Sequence, residues 1–202
     1  MDGWLEAVFR SDDAARDKFL SRLFGLFSEQ VVRAWCACPE ASYEDLGRPT
    51  LYVTGQTRGS TIDFTLRRRE GGQTYAAELK CELEYDGYTY LRLTSVDQLR
   101  HHTLPAFVRF MMLAKEPGAV EVRLGGRPTP VDGAILVWGA TTGEGRAEVS
   151  AACGFADILS VEDMLTDLAR WQPDAWTSFI DRYRGWTTEL FDLLAMPPST
   201  PR

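Results

Sequence analysis

Asp63, Glu78 and Lys80 have the side-chain types and spacing that work on phosphate requires. Two carboxylates on neighbouring strands can share a hard divalent cation through oxygen ligands. An ammonium group beside them can orient or deprotonate water, or offset the charge that builds on a phosphate. All three lie in one stretch, RGSTIDFTLRRREGGQTYAAELKCELEYDGYTYLR, between Arg58 and Arg92.

Two runs of alternating polarity must position them. In Ser60 to Arg68, Ile62, Phe64 and Leu66 fall on one face, and Thr61, Asp63, Thr65 and Arg67 on the other. In Thr74 to Glu84, Tyr75, Ala77, Leu79, Cys81 and Leu83 share a face, opposite Ala76, Glu78, Lys80, Glu82 and Glu84. A period of two argues for two half-buried strands. Glu70-Gly71-Gly72-Gln73 supplies a tight turn, because glycine accepts the positive φ of hairpin turns. With Gly71-Gly72 as a two-residue turn, Asp63 faces Lys80, and Asp63, Glu78 and Lys80 cluster on the polar side. Opposed side chains are about 5 Å apart at Cβ and diagonal ones about 7–8 Å. A slip of one residue would send Asp63 to the other face. The competing reading is a solvated sheet face stitched by Asp63–Lys80 and Glu78–Lys80 ion pairs.

This arrangement resembles the PD-(D/E)XK nuclease superfamily, the restriction-endonuclease-like fold. Its signature is an aspartate near one strand and a Glu-x-Lys on the next, here Asp63 and Glu78-Leu79-Lys80. The proline often found before the aspartate is replaced by Ile62. The resemblance follows the element order over residues 15–140, but its diagnostic residues are only these three. It implies an α/β fold with an αβββαβ core, a mixed central sheet flanked by helices. It further implies Mg²⁺ held by Asp63 and Glu78, with Mn²⁺ able to substitute, and Lys80 positioning the attacking water. Glu29, from the first long helix, is the candidate third metal ligand, against an ordinary surface pair with Arg33. Gln98 and Arg100, in the first turns of the helix after the Glu-x-Lys strand, are the candidate substrate contacts. The implied activity is a metal-dependent endonuclease hydrolysing phosphodiester bonds in DNA. The alternative is a catalytically inactive, nuclease-like subunit that binds nucleic acid or assembles within a larger defence or recombination complex.

Composition bounds these readings. The 202 residues suit one domain with a sizeable core, and 45% are hydrophobic, as in a globular chain. The expected layout is a nuclease-like core over 12–142 and a C-terminal helical extension over 155–196. A net charge of −7 argues against binding nucleic acid by bulk electrostatics. The acidic excess sits at the two ends, however, leaving the middle near neutral and open to a phosphodiester substrate. No apolar run is long enough to span a membrane, and no secretion signal opens the chain, so a cytoplasmic location is expected. Cys36, Cys38, Cys81 and Cys153 have neither zinc spacing nor a disulfide pattern, and read as small buried hydrophobes.

Elsewhere, residues 4–10 are compatible with a short helix or a partner contact. A long amphipathic helix is expected from Ser11-Asp12-Asp13 to about Cys36, with Phe19, Leu20, Leu23, Phe24, Phe27, Val31 and Trp35 facing the core. Residues 39–50 read as loop. Leu51 to Thr54 is expected to join the hairpin as a three-strand meander. The tyrosines of Tyr85 to Tyr90 suit the tip of a hairpin better than a platform for a base. Thr94 and Ser95 cap a helix that continues past Pro105 to Met112. Adjacent residues point about 100° apart on a helix, so His101 and His102 are expected not to share an ion. Val131 to Trp138 reads as a buried central strand, Thr141 to Gly145 as a surface loop, and Ser160 with Asp163 as the cap of a helix reaching Trp171. The last helix, from Asp174 to Pro197, carries an aromatic stripe (Trp176, Phe179, Ile180, Tyr183, Trp186, Leu190, Phe191, Leu194) for the core, a protein partner or a second copy. A serine or cysteine hydrolase is disfavoured, because neither of the two histidines sits in a nucleophile context.

Overall fold

The computed structural model describes residues 3–195. Its centre is a five-stranded mixed sheet built from β1 (Tyr43–Asp45), β4 (Phe64–Arg68), β5 (Thr74–Lys80), β9 (Gly133–Trp138) and β11 (Asp157–Ser160). They lie in the order β1-β4-β5-β9-β11, antiparallel up to β5 and parallel beyond it. Each of the six residues of β9 is buried, as an apolar run between two parallel neighbours requires.

The hairpin register differs from the expected one. Phe64 pairs with Ala77 and Leu66 with Tyr75, a shift of two residues. Gly71 and Gly72 both adopt positive φ, but they end a four-residue loop that opens at Arg69 and is closed by Arg68 N–H on Gln73 O at 2.8 Å. A slip of two preserves faces, so Asp63 stays beside Glu78 while losing Lys80 as its direct opposite.

The expected first strand is broken at Ile62-Asp63 into β3 (Ser60–Thr61) and β4. The third strand of the meander is β1, inside the expected loop. Leu51 instead lies in β2 (Pro49–Val53), part of a separate small sheet ordered β3-β2-β7-β8 with β7 (Val120–Leu124) and β8 (Arg127–Pro128). A parallel pair, β6 (Arg92–Leu93) and β10 (Ala140–Thr141), completes the strands among the described residues.

Two cores flank the large sheet. One packs α1 (Trp4–Phe9), α2 (Ala14–Gly25), α3 (Ser28–Ala37) and α6 (Val161–Trp171) on Leu66, Tyr75, Ala77, Leu79, Ile135 and Val137. The other packs α4 (Pro105–Lys115), α5 (Gly143–Cys153) and the small sheet on Ala76, Ala134, Leu136 and Trp138. The second face of the hairpin is therefore covered rather than solvated, and Thr65 and Ala76 are wholly buried.

The expected long first helix breaks after Gly25, a weak helix former. Asp13 caps α2 through the N–H groups of Ala15 and Arg16, as expected, and the break lets Phe24 and Phe27 meet edge-on at 5.1 Å. Phe19 is exposed instead of buried, against Phe191 of the last helix. The helix expected through Pro105 is likewise divided into a 3-10 turn over Val96–Leu99 and α4, since proline disfavours helical geometry in the residue before it. Thr142, capping through Gly145 N–H, starts α5 where a loop was expected. A Cβ at Gly145 would collide with the Leu93 carbonyl, so glycine is what admits this helix so close to β6.

Ser160 caps α6 through Asp163 N–H at 3.2 Å, and Trp35 donates to Asp167, tying α3 to α6. In α7 (Asp174–Ala195) no residue is buried. Phe179 and Tyr183 touch Phe27, while Trp186, Leu190, Leu193 and Leu194 stay largely exposed, so the stripe is a half-used surface rather than core. The expected stop at Pro197 lies outside the described residues. Among the described residues no helix is long and apolar enough to cross a membrane.

Candidate functional site

Asp63 stands at the bend between β3 and β4, where the broken strand turns its carboxylate toward β5. Its Oδ2 accepts the Leu79 N–H at 2.9 Å, and its Oδ1 faces Arg48 Nη2 at 3.4 Å. Glu78 and Lys80, two apart on β5, share the face covered by α4. Lys80 Nζ donates to Glu78 Oε1 at 2.6 Å, approaches the Leu79 carbonyl at 3.3 Å, and stands 5.4 Å from the Phe107 ring centre on α4. Only 8% of the Glu78 side chain and 18% of the Lys80 side chain is exposed. The bend and the hairpin thus bring together the three residues singled out by type and spacing.

Glu78 is the strained member. Burial raises its carboxyl first, the neighbouring Asp63 raises it further, and Lys80 only partly offsets both, so its pKa is pushed up to about 7. Its Oε2 is buried and has no hydrogen-bond partner among the described residues. A buried acceptor left unpaired costs free energy, about 1–3 kcal/mol for a neutral group and more for a charged one. These oxygens fit a hard divalent ion of the Mg²⁺ or Mn²⁺ type, which prefers carboxylate ligands.

Glu29 approaches this site without joining it. Its Oε2 pairs with Arg33 at 2.9 Å, the i,i+4 contact of an ordinary helix surface, and lies 3.9 Å from Arg48 Nη1. Arg48 therefore bridges Glu29 and Asp63. Nothing in the motif pointed to Arg48, which lies just ahead of β2 in the stretch read as loop. The three carboxylates of Glu29, Asp63 and Glu78 do not bring their oxygens within 4.8 Å of one another, so Glu29 is placed as a partner of arginine rather than as a ready third ligand.

The two candidate substrate contacts sit otherwise than expected. Gln98 is buried and closes a capping box with Ser95. Its Oε1 accepts from Thr94 and Ser95 N–H, and its Nε2 donates to the Thr89 and Arg92 carbonyls. Its amide is spent inside the protein, because the segment is a 3-10 turn and not the first turn of a helix. Arg100 is exposed and pairs with Asp97 at 2.9 Å. Between β3 and the start of α4, a cleft of about 520 Å³ is lined by Arg58, Ser60, Thr61 and Arg109 together with Leu104, Pro105 and Ala106, none of which the motif reveals.

Beyond Lys80, His101 and His102 meet one carboxylate. His101 Nε2 lies 2.8 Å from Glu82 Oε2, His102 Nδ1 lies 3.5 Å from Glu82 Oε1, and the ring centres are 3.8 Å apart. They converge because this stretch is irregular, which removes the 100° divergence a helix would impose. Tyr85 stacks on His101 at 5.0 Å with half of it still exposed, and the partly buried Tyr90 meets the same ring edge-on. Burial, then the His101 and Lys80 charges, push His102 down to about 4.

All four cysteines are free. Cys36, Cys38 and Cys153 are buried and Cys81 is intermediate; burial pushes the Cys36 and Cys81 thiols up to about 12, far from a reactive thiolate. Compared with protein-family models, curated proteins and solved structures, the chain matches none.

Proposed function

We propose that the chain is a metal-dependent endonuclease of the PD-(D/E)XK kind acting on DNA. The observation that carries this reading is the convergence of the partly buried Asp63 and Lys80 on the buried Glu78, whose Oε2 has no hydrogen-bond partner among the described residues. Element order supports it too. With β6 and the strands of the small sheet set aside as insertions, α3, β1, β4, β5, α4 and β9 follow the αβββαβ sequence, with three antiparallel strands and a fourth parallel to the third.

Asp63 and Glu78 would hold the cation. Bound there, Mg²⁺ supplies charge neutralisation at the phosphodiester and an acidified water. Lys80, held by Glu78 and the Leu79 carbonyl, orients the attacking water and offsets the charge that develops on phosphate. Arg48 must swing from Asp63 when a cation enters, which its half-exposed side chain permits. Arg58 and Arg109, beside the hydroxyls of Ser60 and Thr61, offer phosphate contacts that carry no sequence information.

The direct test is cleavage of plasmid and single-stranded DNA with Mg²⁺, Mn²⁺ or EDTA, using wild type, Asp63→Ala and Lys80→Ala. Metal-dependent cutting lost in both variants is the expected result; cutting that survives both sinks the assignment.

One observation favours a second reading. Arg48 already supplies a positive charge between Glu29 and Asp63, as in a site that has exchanged metal for an internal cation. A nuclease-like binding or assembly subunit would then use the exposed apolar side of α7 against a protein partner. Absence of both cleavage and Mn²⁺ binding in the folded wild type selects that reading.

A further inference from the structure

We infer that Glu82, His101 and His102 form a second metal site, chemically distinct from the Asp63–Glu78 recess and selective for a borderline transition ion such as Zn²⁺. Among the described residues this is the one group of three or more His, Cys, Asp or Glu side chains whose potential ligand atoms all lie within 4.8 Å of one another. The three come from two segments. Glu82 follows the end of β5, and the histidines follow the 3-10 turn over Val96–Leu99.

The candidate ligand atoms are close enough for a coordination shell to form by small side-chain movements. Tetrahedral zinc with ligands at about 2.0–2.1 Å separates them by about 3.3 Å along each edge. Here His101 Nε2 stands at hydrogen-bond distance, 2.8 Å, from one Glu82 oxygen and His102 Nδ1 stands 3.5 Å from the other, so a small turn of the carboxylate brings one oxygen and both nitrogens toward such a shell. The longer approach is no hydrogen bond, so His102 Nδ1 and Glu82 Oε1 face each other with neither satisfied by the contact. A cation between them serves both.

Ring packing restrains the two imidazoles. His102 is 7% exposed, wedged between the Phe107 and Trp138 rings, and His101 is held by Tyr85 and Tyr90. Immobile imidazoles lose little freedom on binding. Two imidazoles and one carboxylate suit Zn²⁺, Co²⁺ or Ni²⁺, whereas Mg²⁺ and Ca²⁺ prefer all-oxygen sets. Three protein ligands leave a fourth position for water or an exogenous group. The ion would also staple the turn-rich segment after β5 to the linker ahead of α4.

Co²⁺ titration of the whole chain, read by visible d–d absorption and by equilibrium dialysis with Zn²⁺, tests the site. The expected result is one tightly bound ion per chain with an intense four- or five-coordinate spectrum, retained in Asp63→Ala, which removes only any weaker ion held at the Asp63–Glu78 recess. Affinity should fall roughly 100-fold or more in His101→Asn and in Glu82→Gln, at least the loss that follows removal of an outer-shell partner. Glu82→Gln serves where His101→Asn fails to fold. No stoichiometric binding, binding that survives both substitutions, binding abolished by Asp63→Ala, or a wild-type Co²⁺ complex without imidazole nitrogen in its pulsed-EPR spectrum would overturn the site.

Discussion

The two faces of β5 are built on opposite rules. Toward α3 and α6 it presents Tyr75, Ala77 and Leu79, and the packing is apolar. Toward α4 it presents Ala76, Glu78 and Lys80, two of them charged and nearly as buried. Apolar residues of similar volume would commonly be as stable as a buried ion pair, or more so. The charged face is thus the one where the chain departs from what folding alone favours, and such departures concentrate at functional sites.

The sharpest way to break this contrast is to remove Lys80. Lys80→Ala should abolish cleavage and, at pH 8, destabilise the fold by about 3–5 kcal/mol in denaturant titration, because the Glu78 charge is left buried and unpaired. Equal stability of this variant and wild type at pH 8 would mean that water reaches the recess freely. On the apolar face, Leu66→Ala should cost about 2–5 kcal/mol through the cavity it leaves, while the remaining folded protein keeps its metal affinity. Loss of Mn²⁺ binding in folded Leu66→Ala would show that the two faces are not independent.

Replacing both charges sharpens the comparison further. The double variant Glu78→Leu, Lys80→Met should match or exceed wild type in stability by about 1–4 kcal/mol and show no cleavage. A less stable double variant would make the pair a structural element.

The pH dependence is smaller and its sign is set by burial. The folded chain holds the Glu78 proton more tightly than the unfolded chain does, since its pKa rises from 4.5 to about 7. Between those values the native state binds more protons, so this group's contribution to stability falls as pH rises and levels off above about 7. Stability curves of wild type minus Glu78→Gln should therefore slope downward from pH 4.5 to 7; an upward slope contradicts the burial account. Mn²⁺ binding should strengthen over the same window as the competing proton leaves. Least of all, Arg48→Ala should tighten Mn²⁺ binding several-fold by removing the competing guanidinium, as read by calorimetry.

How much of this was legible beforehand followed from what periodicity encodes. Alternation told which residues of the hairpin share a face, and a register error of two left that intact. It could not tell which sheet Leu51 would join, because pairing partners are chosen by packing. Nor did it reveal that the polar face of β5 would be covered, since α4 and the small sheet arrive from later in the chain. The helix after Thr142 was hidden by Gly143 and Gly145, which read as loop; its signal was the threonine cap. His101 and His102 were judged on a helix that is not there. Arg48 carried no motif, and only the fold brings it to Asp63. Glu29 was singled out by element order, and it reached the neighbourhood of the site but paired with arginines.

The position of β9 carries a consequence for how the chain assembles. β4 and β5 are joined by a four-residue loop, so their pairing is local and can form early. Both neighbours of β9 run parallel to it, and β9 begins only at Gly133, after α4 and all four strands of the small sheet. Long-range parallel pairing is slow because chain entropy is lost before the contacts repay it. α4, which covers Glu78 and Lys80, also packs on Leu136 and Trp138 of β9, so these two side chains meet water through much of the folding reaction and lose it late, when α4 and β9 close together on β5. In refolding experiments the ionisation of Glu78 should report on that last step.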